Sequence, residues 1–258
     1  MIDMERFLEN KVCIITGAAQ GIGKSIAERF ASDGALVYAC DRAEGVMDEW
    51  AKACSEKYGT RVCPLYFDVT DAVAVKSAFM SVFKQERRID VLVNNAGVLG
   101  ASMPNATEEA FDKVIDTNLK GVFFLSQLFG GYLKANKVEG NILNVGSSSC
   151  LRPATSAYTL SKWGIRGLTL GLAKSLAPYG VTVNGIAPGP TATPMLLKDG
   201  QGNITNKGNP IGRYALPEEI ANMAVVLVSP MGRTIVGDMV YMTGGAATVT
   251  YDDMDYTF

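Results

Sequence analysis

The sequence predicts an α/β fold, a single-domain doubly wound parallel sheet with helices on both faces. Two observations carry this. Short apolar runs that are nearly unbroken alternate with longer amphipathic stretches along almost the whole chain, the pattern of strands buried on both sides by crossover helices. No linker rich in Pro, Gly and Ser, no internal repeat and no low-complexity block divides the 258 residues, so 1–258 read as one domain.

The elements follow in order. Residues 12–15 (Val-Cys-Ile-Ile) form a buried first strand, and a glycine-rich turn leads into a helix at about 22–32. Strand 35–40 precedes a helical pattern at 46–58, strand 62–67 a helix at 72–83, and strand 89–93 one long helix at about 108–135. Strand 141–145, helix 156–177 and strand 181–186 come next. Pro217-Glu218-Glu219 opens a further helix, with proline in the first turn where its missing N–H costs nothing. Residues 238–242 are the last strand. The least regular stretch, 188–213, is dense in Gly, Pro, Asn and Thr. Loops of that length are functional lids or unstructured tracts, and a substrate loop is assigned at about 190–213.

Composition excludes several classes. With 24 basic and 26 acidic residues the formal charge is −2, and no basic stripe offers a nucleic-acid footprint. No apolar run reaches the ~18 residues that could span a bilayer. Residues 1–6 carry acidic groups and no apolar run, unlike a secretory signal, so a cytoplasmic location is expected. Cys13, Cys40, Cys54, Cys63 and Cys150 are odd in number and form no CxxC pair, and they read as small hydrophobes rather than disulfides or zinc ligands. Histidine is absent. That excludes Ser-His-Asp and Cys-His mechanisms, no metal site is expected, and acid–base work falls to Tyr, Lys, Asp, Glu or Cys.

Thr16-Gly17-Ala18-Ala19-Gln20-Gly21-Ile22-Gly23 follows the first strand and opens the first helix. Glycines there allow a tight turn and close backbone approach to a pyrophosphate, which the helix N-terminus then faces; this is the Rossmann-type arrangement. The spacing is GxxxGxG rather than the commoner GxGxxG. Asp41 ends the second strand, where a carboxylate accepts ribose hydroxyls and repels a 2′-phosphate. Arg42 beside it could instead bind that phosphate, whereas Gln20 supplies no cation for it. NAD(H) is the expected cofactor, with NADP(H) the alternative.

Tyr158 and Lys162 stand four apart on a helix and so share a face. An ammonium one turn from a phenol of ordinary pKa ~10 favours the phenolate. A drop of ~2–3 units, roughly 3–4 kcal/mol, would let Tyr158 exchange a proton near neutral pH. The pair alone is common on surface helices. Its company raises its meaning: the glycine turn, Asp41, Asp68, Asn95 and Ser147 all follow strands and would gather at one sheet edge, where doubly wound folds bind ligands.

With these residues assembled, the chain resembles the short-chain dehydrogenase/reductase family from about residue 8 to 245. The motifs are TGxxxGxG at 16–23, Asp68, NNAG at 94–97, Asn118, a serine after Asn144-Val145, YxxxK at 158–162, and PGxxxT from Pro188 to Thr193. The resemblance implies hydride transfer between NAD(H) and a secondary alcohol or ketone. It implies Tyr158 as general acid/base, Lys162 as the group that lowers its pKa and holds the nicotinamide ribose, Ser147 as partner of the substrate oxygen, and Asn118 as the holder of a water linking Lys162 to solvent. Asp68 and Val69 would meet the adenine, and Asn95, Ala96 and Gly97 the ribose beside the nicotinamide. Pro188, Gly189, Thr191 and Thr193 would border the nicotinamide itself. A sensor that binds NAD(H) without turnover is the competing class, which would not need the Asn, Ser, Tyr and Lys set.

Two departures stand out. In the run Ser147-Ser148-Ser149 the serine three past Asn144 is Ser147, with Ser148 and Ser149 as alternates, because the segment to Tyr158 is about two residues shorter than is common. Met242-Thr243-Gly244-Gly245 has Thr where the family often has Asp. Pocket walls are expected from residues 99–103, 149–151 and the loop after Thr193, whose apolar 194–197 could close over a ligand or pack on their own domain. Gly164, Gly167 and Gly171 recur on one helix at about 1 kcal/mol each relative to alanine, a cost that close packing of another helix would offset. With the resemblance, this implies a homotetramer or dimer. The tail, 251–256, is either unstructured or covers a neighbouring subunit's site.

Overall fold

The computed structural model describes residues 6–197 and 203–249; the tail expectation at 251–256 lies outside them. Over the described residues, seven parallel strands form one sheet: β1 (Val12–Thr16), β2 (Leu36–Asp41), β3 (Val62–Tyr66), β4 (Val91–Asn94), β5 (Gly140–Val145), β6 (Val181–Pro188) and β7 (Met239–Met242), in the order β3-β2-β1-β4-β5-β6-β7. The chain starts at the centre, winds outward to β3, then returns to β4 on the other side of β1. The place between β1 and β4 is therefore the switch point, where the outgoing connections diverge and leave a crevice. α1 (Gly21–Ser32), α2 (Asp48–Tyr58), α3 (Ala72–Glu86), α4 (Glu108–Ile115), α5 (Gly121–Asn136), α6 (Ala157–Leu176) and α7 (Pro217–Val228) cover the sheet.

The strands' period of two splits the core. Cys13 and Ile15 of β1 pack with Ile26 and Phe30 of α1 and Ile220 and Val225 of α7 on one face. Val12 and Ile14 pack with Phe79 of α3 and Phe129 and Leu133 of α5 on the other. There Phe79 meets Phe129 and Tyr132 edge-on at centroid distances of 6.2 and 5.6 Å, worth about 0.5–1.5 kcal/mol per pair beyond the area they bury. Two-sided burial explains why the strands read as continuous apolar runs.

Strand and helix ends differ from the sequence expectation by a few residues. The larger difference is the long helix expected at 108–135, which is two helices joined by a π-turn at Asp116–Lys120. The turn seats Gly121 against the β3–α3 connection, where a Cβ would meet the Val69 carbonyl oxygen at 2.8 Å. Widened turns of this kind leave no compositional mark and concentrate at functional sites. In the same helix region Asn118 is buried.

Two features place α6. Ser156 caps it, its Oγ accepting the Thr159 N–H at 3.1 Å. Gly164 lets it approach the π-turn, since a Cβ would lie 2.8 Å from Leu119 Cδ2. Gly167 and Gly171 have nothing within 4 Å of where a Cβ would stand. Of the assigned loop, Thr191 bridges Ala215 and Thr205 bridges Arg213, while buried Asn209 donates from Nδ2 to the Thr243 carbonyl at 3.2 Å. Among the described residues no helix is long and apolar enough to cross a membrane.

Candidate active site

At the carboxyl ends of β1, β2, β4, β5 and β6 lies a cleft of about 500 Å³. The glycine turn forms its floor. Gly17 and Gly21 have φ of +66° and +57°, the left-handed region where side chains are strained. A Cβ on Gly17 would sit 2.8 Å from Ala96 Cα, and one on Gly23 would collide with the Gly17 carbonyl and Asn95 Nδ2. Thr16, which sequence reasoning left outside the site, clasps this turn to the neighbouring strand: its Oγ1 accepts the N–H groups of Asn95 and Ala96 at 3.0 and 3.1 Å. Asn95 returns the contact, donating from Nδ2 to the carbonyls of Thr16 and Gly17. Only the TG start of the motif could have signalled this clasp.

The outer end carries the charge. One Asp41 carboxylate oxygen accepts the Ala19 N–H of the turn at 3.2 Å, and the other accepts the N–H groups of Arg42 and Ala43. Arg42 lies 3.8 Å from Asp68. Burial pushes the Asp68 carboxyl up, but the Thr70 amide and hydroxyl together with Arg42 outweigh it, and the group is held below its ordinary value. Gln20, Ile22, Val69, Ala96 and Gly97 also line the cleft, as do Pro188, Gly189, Thr191 and Thr193 at its inner end. Gly189 is pressed on Thr243, whose carbonyl oxygen would stand 2.7 Å from a Cβ there.

Tyr158, Lys162 and Ser147 meet on the inner wall. Lys162 is buried, its Nζ donating to the Val145 carbonyl at 2.9 Å and lying 5.6 Å from the Tyr158 ring centroid. Burial pulls the Lys162 ammonium down to about 8. Burial also pushes the Tyr158 phenol above its ordinary value, against the hydrogen bond of the Ser147 hydroxyl and with the Cys150 thiol adding to the rise. This is opposite in sign to the lowering expected from the lysine alone. Desolvation of the phenolate outweighs the Ser147 hydrogen bond that favours it.

Ser147, Ser148 and Ser149 all border the cleft, and the Ser147 side chain is the one that engages Tyr158. Two expected site residues do not line it: Gly23, which packs beneath the turn, and Asn118. Asn118 acts from behind as a clamp. Its Oδ1 accepts the Val98 N–H at 2.8 Å, and its Nδ2 donates to the Val98 carbonyl and Ser161 Oγ at 2.9 and 3.2 Å. Ser161 in turn donates to the Tyr158 carbonyl at 2.7 Å. Both amide hydrogens of Asn118 are thus committed to tying the NNAG segment to α6.

Of the expected walls, Leu99, Ser149, Pro194, Met195 and Leu196 line the cleft, and Arg152 does so unanticipated. Cys150 is fully buried away from it, its Sγ 3.9 Å from the Tyr241 hydroxyl. Among the described residues no group of three or more His, Cys, Asp or Glu could hold a metal ion. The glycine cradle, the carboxylate beyond it and the phenol at the far end fit a dinucleotide laid along the cleft.

A family model for short chain dehydrogenases matches residues 11–203. The chain belongs to the short-chain dehydrogenase family. It is accordingly an oxidoreductase that acts on CH–OH and C=O groups with a nicotinamide cofactor. A 3-oxoacyl-(acyl-carrier-protein) reductase of Thermotoga maritima is 38% identical over 243 residues, covering 92% of this chain and 98% of that protein. An NAD-dependent glycerol dehydrogenase of Listeria innocua is 34% identical over 249 residues, covering 94% and 96%. Among solved structures, L-sorbose reductase from Gluconobacter frateurii, complexed with NADPH and L-sorbose, superposes with a TM-score of 0.86 at 29% identity over 95% of this chain and 99% of that one. These relatives span both dinucleotides, so cofactor preference rests on the residues of this chain.

Proposed function

We propose that the protein is a single-domain, NAD(H)-preferring dehydrogenase/reductase of a secondary alcohol or ketone, with Tyr158 as general acid and base. The carrying observation is that Tyr158, Ser147 and Lys162 converge on one wall of the cleft whose floor is the glycine turn. A bound nicotinamide dinucleotide supplies or accepts the hydride. In reduction Tyr158 Oη gives its proton to the substrate oxygen while the Ser147 hydroxyl hydrogen-bonds that oxygen; in oxidation the phenolate takes the proton back. Lys162 supplies positive charge beside the phenol and a donor for the nicotinamide ribose. Asn118 holds Val98, just past the NNAG segment, and α6 in register.

The NAD(H) preference is supported by Asp41. Its carboxylate stands at the ribose end, fixed by three backbone N–H groups, where it accepts ribose hydroxyls and repels a 2′-phosphate. Arg42, next to it in the chain, lies 3.8 Å from Asp68. The apolar 194–196 segment acts as the leading edge of the substrate loop. A homotetramer or dimer in the cytoplasm completes the reading: Leu160, Trp163 and Leu170 on α6 and Phe123 and Phe124 on α5 are exposed, beside the open Gly167 and Gly171.

The test is consumption of NADH against a panel of ketones. Tyr158→Phe should cut turnover by about 10²–10⁴-fold while dinucleotide affinity stays close to the parent's. A Phe variant that retains most of the rate would sink the assignment.

A further inference from the structure

The two halves of the cleft differ in how their charges are used. In the dinucleotide half, Asp41 and Asp68 are satisfied by backbone N–H groups, Thr70 and Arg42. Around Ser147 and Tyr158 the wall is Leu99, Ser149, Pro194, Met195 and Leu196, with two cations: Lys162, buried and bonded to the Val145 carbonyl, and Arg152, which is exposed. Leu99, Met195 and Leu196 line the cleft and are 47%, 43% and 43% exposed, so part of their apolar surface is open.

Arg152 terminates the 3₁₀ turn Ser148–Leu151 that follows Ser147. Its carbonyl accepts the Trp163 indole N–H at 2.9 Å, which fastens the residue to α6 five positions past Tyr158. Arg29, Arg42, Arg61, Arg88, Arg213 and Arg233 each meet a carboxylate. Among the described residues the guanidinium of Arg152, like those of Arg6, Arg87 and Arg166, meets none, and of these four only Arg152 lines the cleft. A cation anchored by its backbone, without a carboxylate partner among the described residues and placed beside Leu99, Pro194, Met195 and Leu196 is suited to a carboxylate, which its planar fork grips through two hydrogen bonds.

We infer that Arg152 is a specificity-determining residue that selects a small oxo- or hydroxy-carboxylate with an apolar body. The inference rests on the oxidoreductase reading above. Three steps of ~2.0 Å within the 3₁₀ turn and two extended flanking steps of up to ~3.8 Å keep the Cα of Arg152 within ~14 Å of that of Ser147. The anion therefore belongs a few bonds from the reacting carbon, on the substrate itself.

The experiment compares matched ketones with the full-length protein and NADH: 4-oxopentanoate and 4-oxo-4-phenylbutanoate, each against its methyl ester. The acids should be preferred in kcat/KM by roughly tenfold or more, as expected for a charge-assisted fork, with the margin shrinking as salt rises. Arg152→Gln should lower kcat/KM for the acids about tenfold through KM while the esters change by less than about threefold, and Arg152→Lys should recover part of the loss. Esters reduced as well as the acids by the parent protein, or acids and esters falling together in Arg152→Gln, would overturn the inference and leave the oxidoreductase reading standing. Absence of turnover with every ketone and either reduced dinucleotide would remove both.

Discussion

Replacing Lys162 with methionine should displace the acid limb of alcohol oxidation upward by about 2 pH units. Methionine keeps an unbranched apolar stem in the same buried channel but removes the charge. Lys162 Nζ lies 5.6 Å from the Tyr158 ring centroid. Through an effective dielectric of about 20, a unit charge at that distance is worth about 3 kcal/mol, or about 2 pKa units. Oxidation needs the phenolate, so on the limb each unit costs tenfold and the variant should run about 100-fold slower at fixed pH. Reduction begins from the neutral phenol and should suffer less. The assay is kcat against pH for oxidation of a secondary alcohol at saturating dinucleotide, parent and variant side by side. An unshifted limb in Lys162→Met would refute the charge argument and leave Lys162 only its bond to the Val145 carbonyl and its reach toward the ribose.

Other outcomes follow from the same geometry. Asp41→Ala removes the carboxylate that sorts the two dinucleotides, and it should raise Kd for NADH about tenfold while Kd for NADPH holds or falls, as read by equilibrium titration; an undiminished NADH preference would count against Asp41 as the discriminator. Glu219 is held down to about 2, first by the Arg213 side chain and then by the Leu216 N–H, against an ordinary value of 4.5. Because this pKa is depressed on folding, its contribution is fully present above about 4.5 and is lost as pH falls through about 2. Both partners are more than a third exposed, so screening keeps the effect small: Glu219→Gln should lower Tm by roughly 2 °C at neutral pH and by less at pH 3. Equal losses at the two pH values in thermal melts would contradict it.

Much of the fold was legible because its signals are local. Two-sided strand burial gave runs such as 12–15 and 89–93, and the glycine turn, Asp41 and the Tyr158–Lys162 spacing each follow a strand or share a helix face. What stayed hidden depends on contacts distant in sequence. The π-turn at Asp116–Lys120 has ordinary helix-compatible residues, and the close approach that accompanies it, Gly121 against Val69, joins segments 52 positions apart. Thr16 clasps Asn95 and Ala96 across about 80 positions. Arg152 carries no pattern in the sequence, as a lone arginine after Cys150-Leu151; only the cleft shows that it lies at the substrate end.

The electrostatics of the inner wall could not be read from spacing, and they change the mechanistic argument. Four residues between Tyr158 and Lys162 suggest a cation that acidifies a phenol. Burial, however, moves the two groups in opposite directions, the phenol up and the ammonium down to about 8, so in each case the neutral form gains. A site poised this way does not hold a standing phenolate at neutral pH. It requires further positive charge in the same dry volume before proton transfer to Tyr158 becomes easy in both directions. A bound oxidised nicotinamide carries that charge, whereas the reduced ring does not. On the proposed reading, a bound dinucleotide would tie the protonation of Tyr158 to its own redox state, because only the oxidised ring would add positive charge beside the phenol. Spectroscopic titration of tyrosinate with and without NAD⁺ measures this directly. A Tyr158 pKa that is the same in both titrations would show that the lysine, and not the cofactor's charge, sets the proton balance.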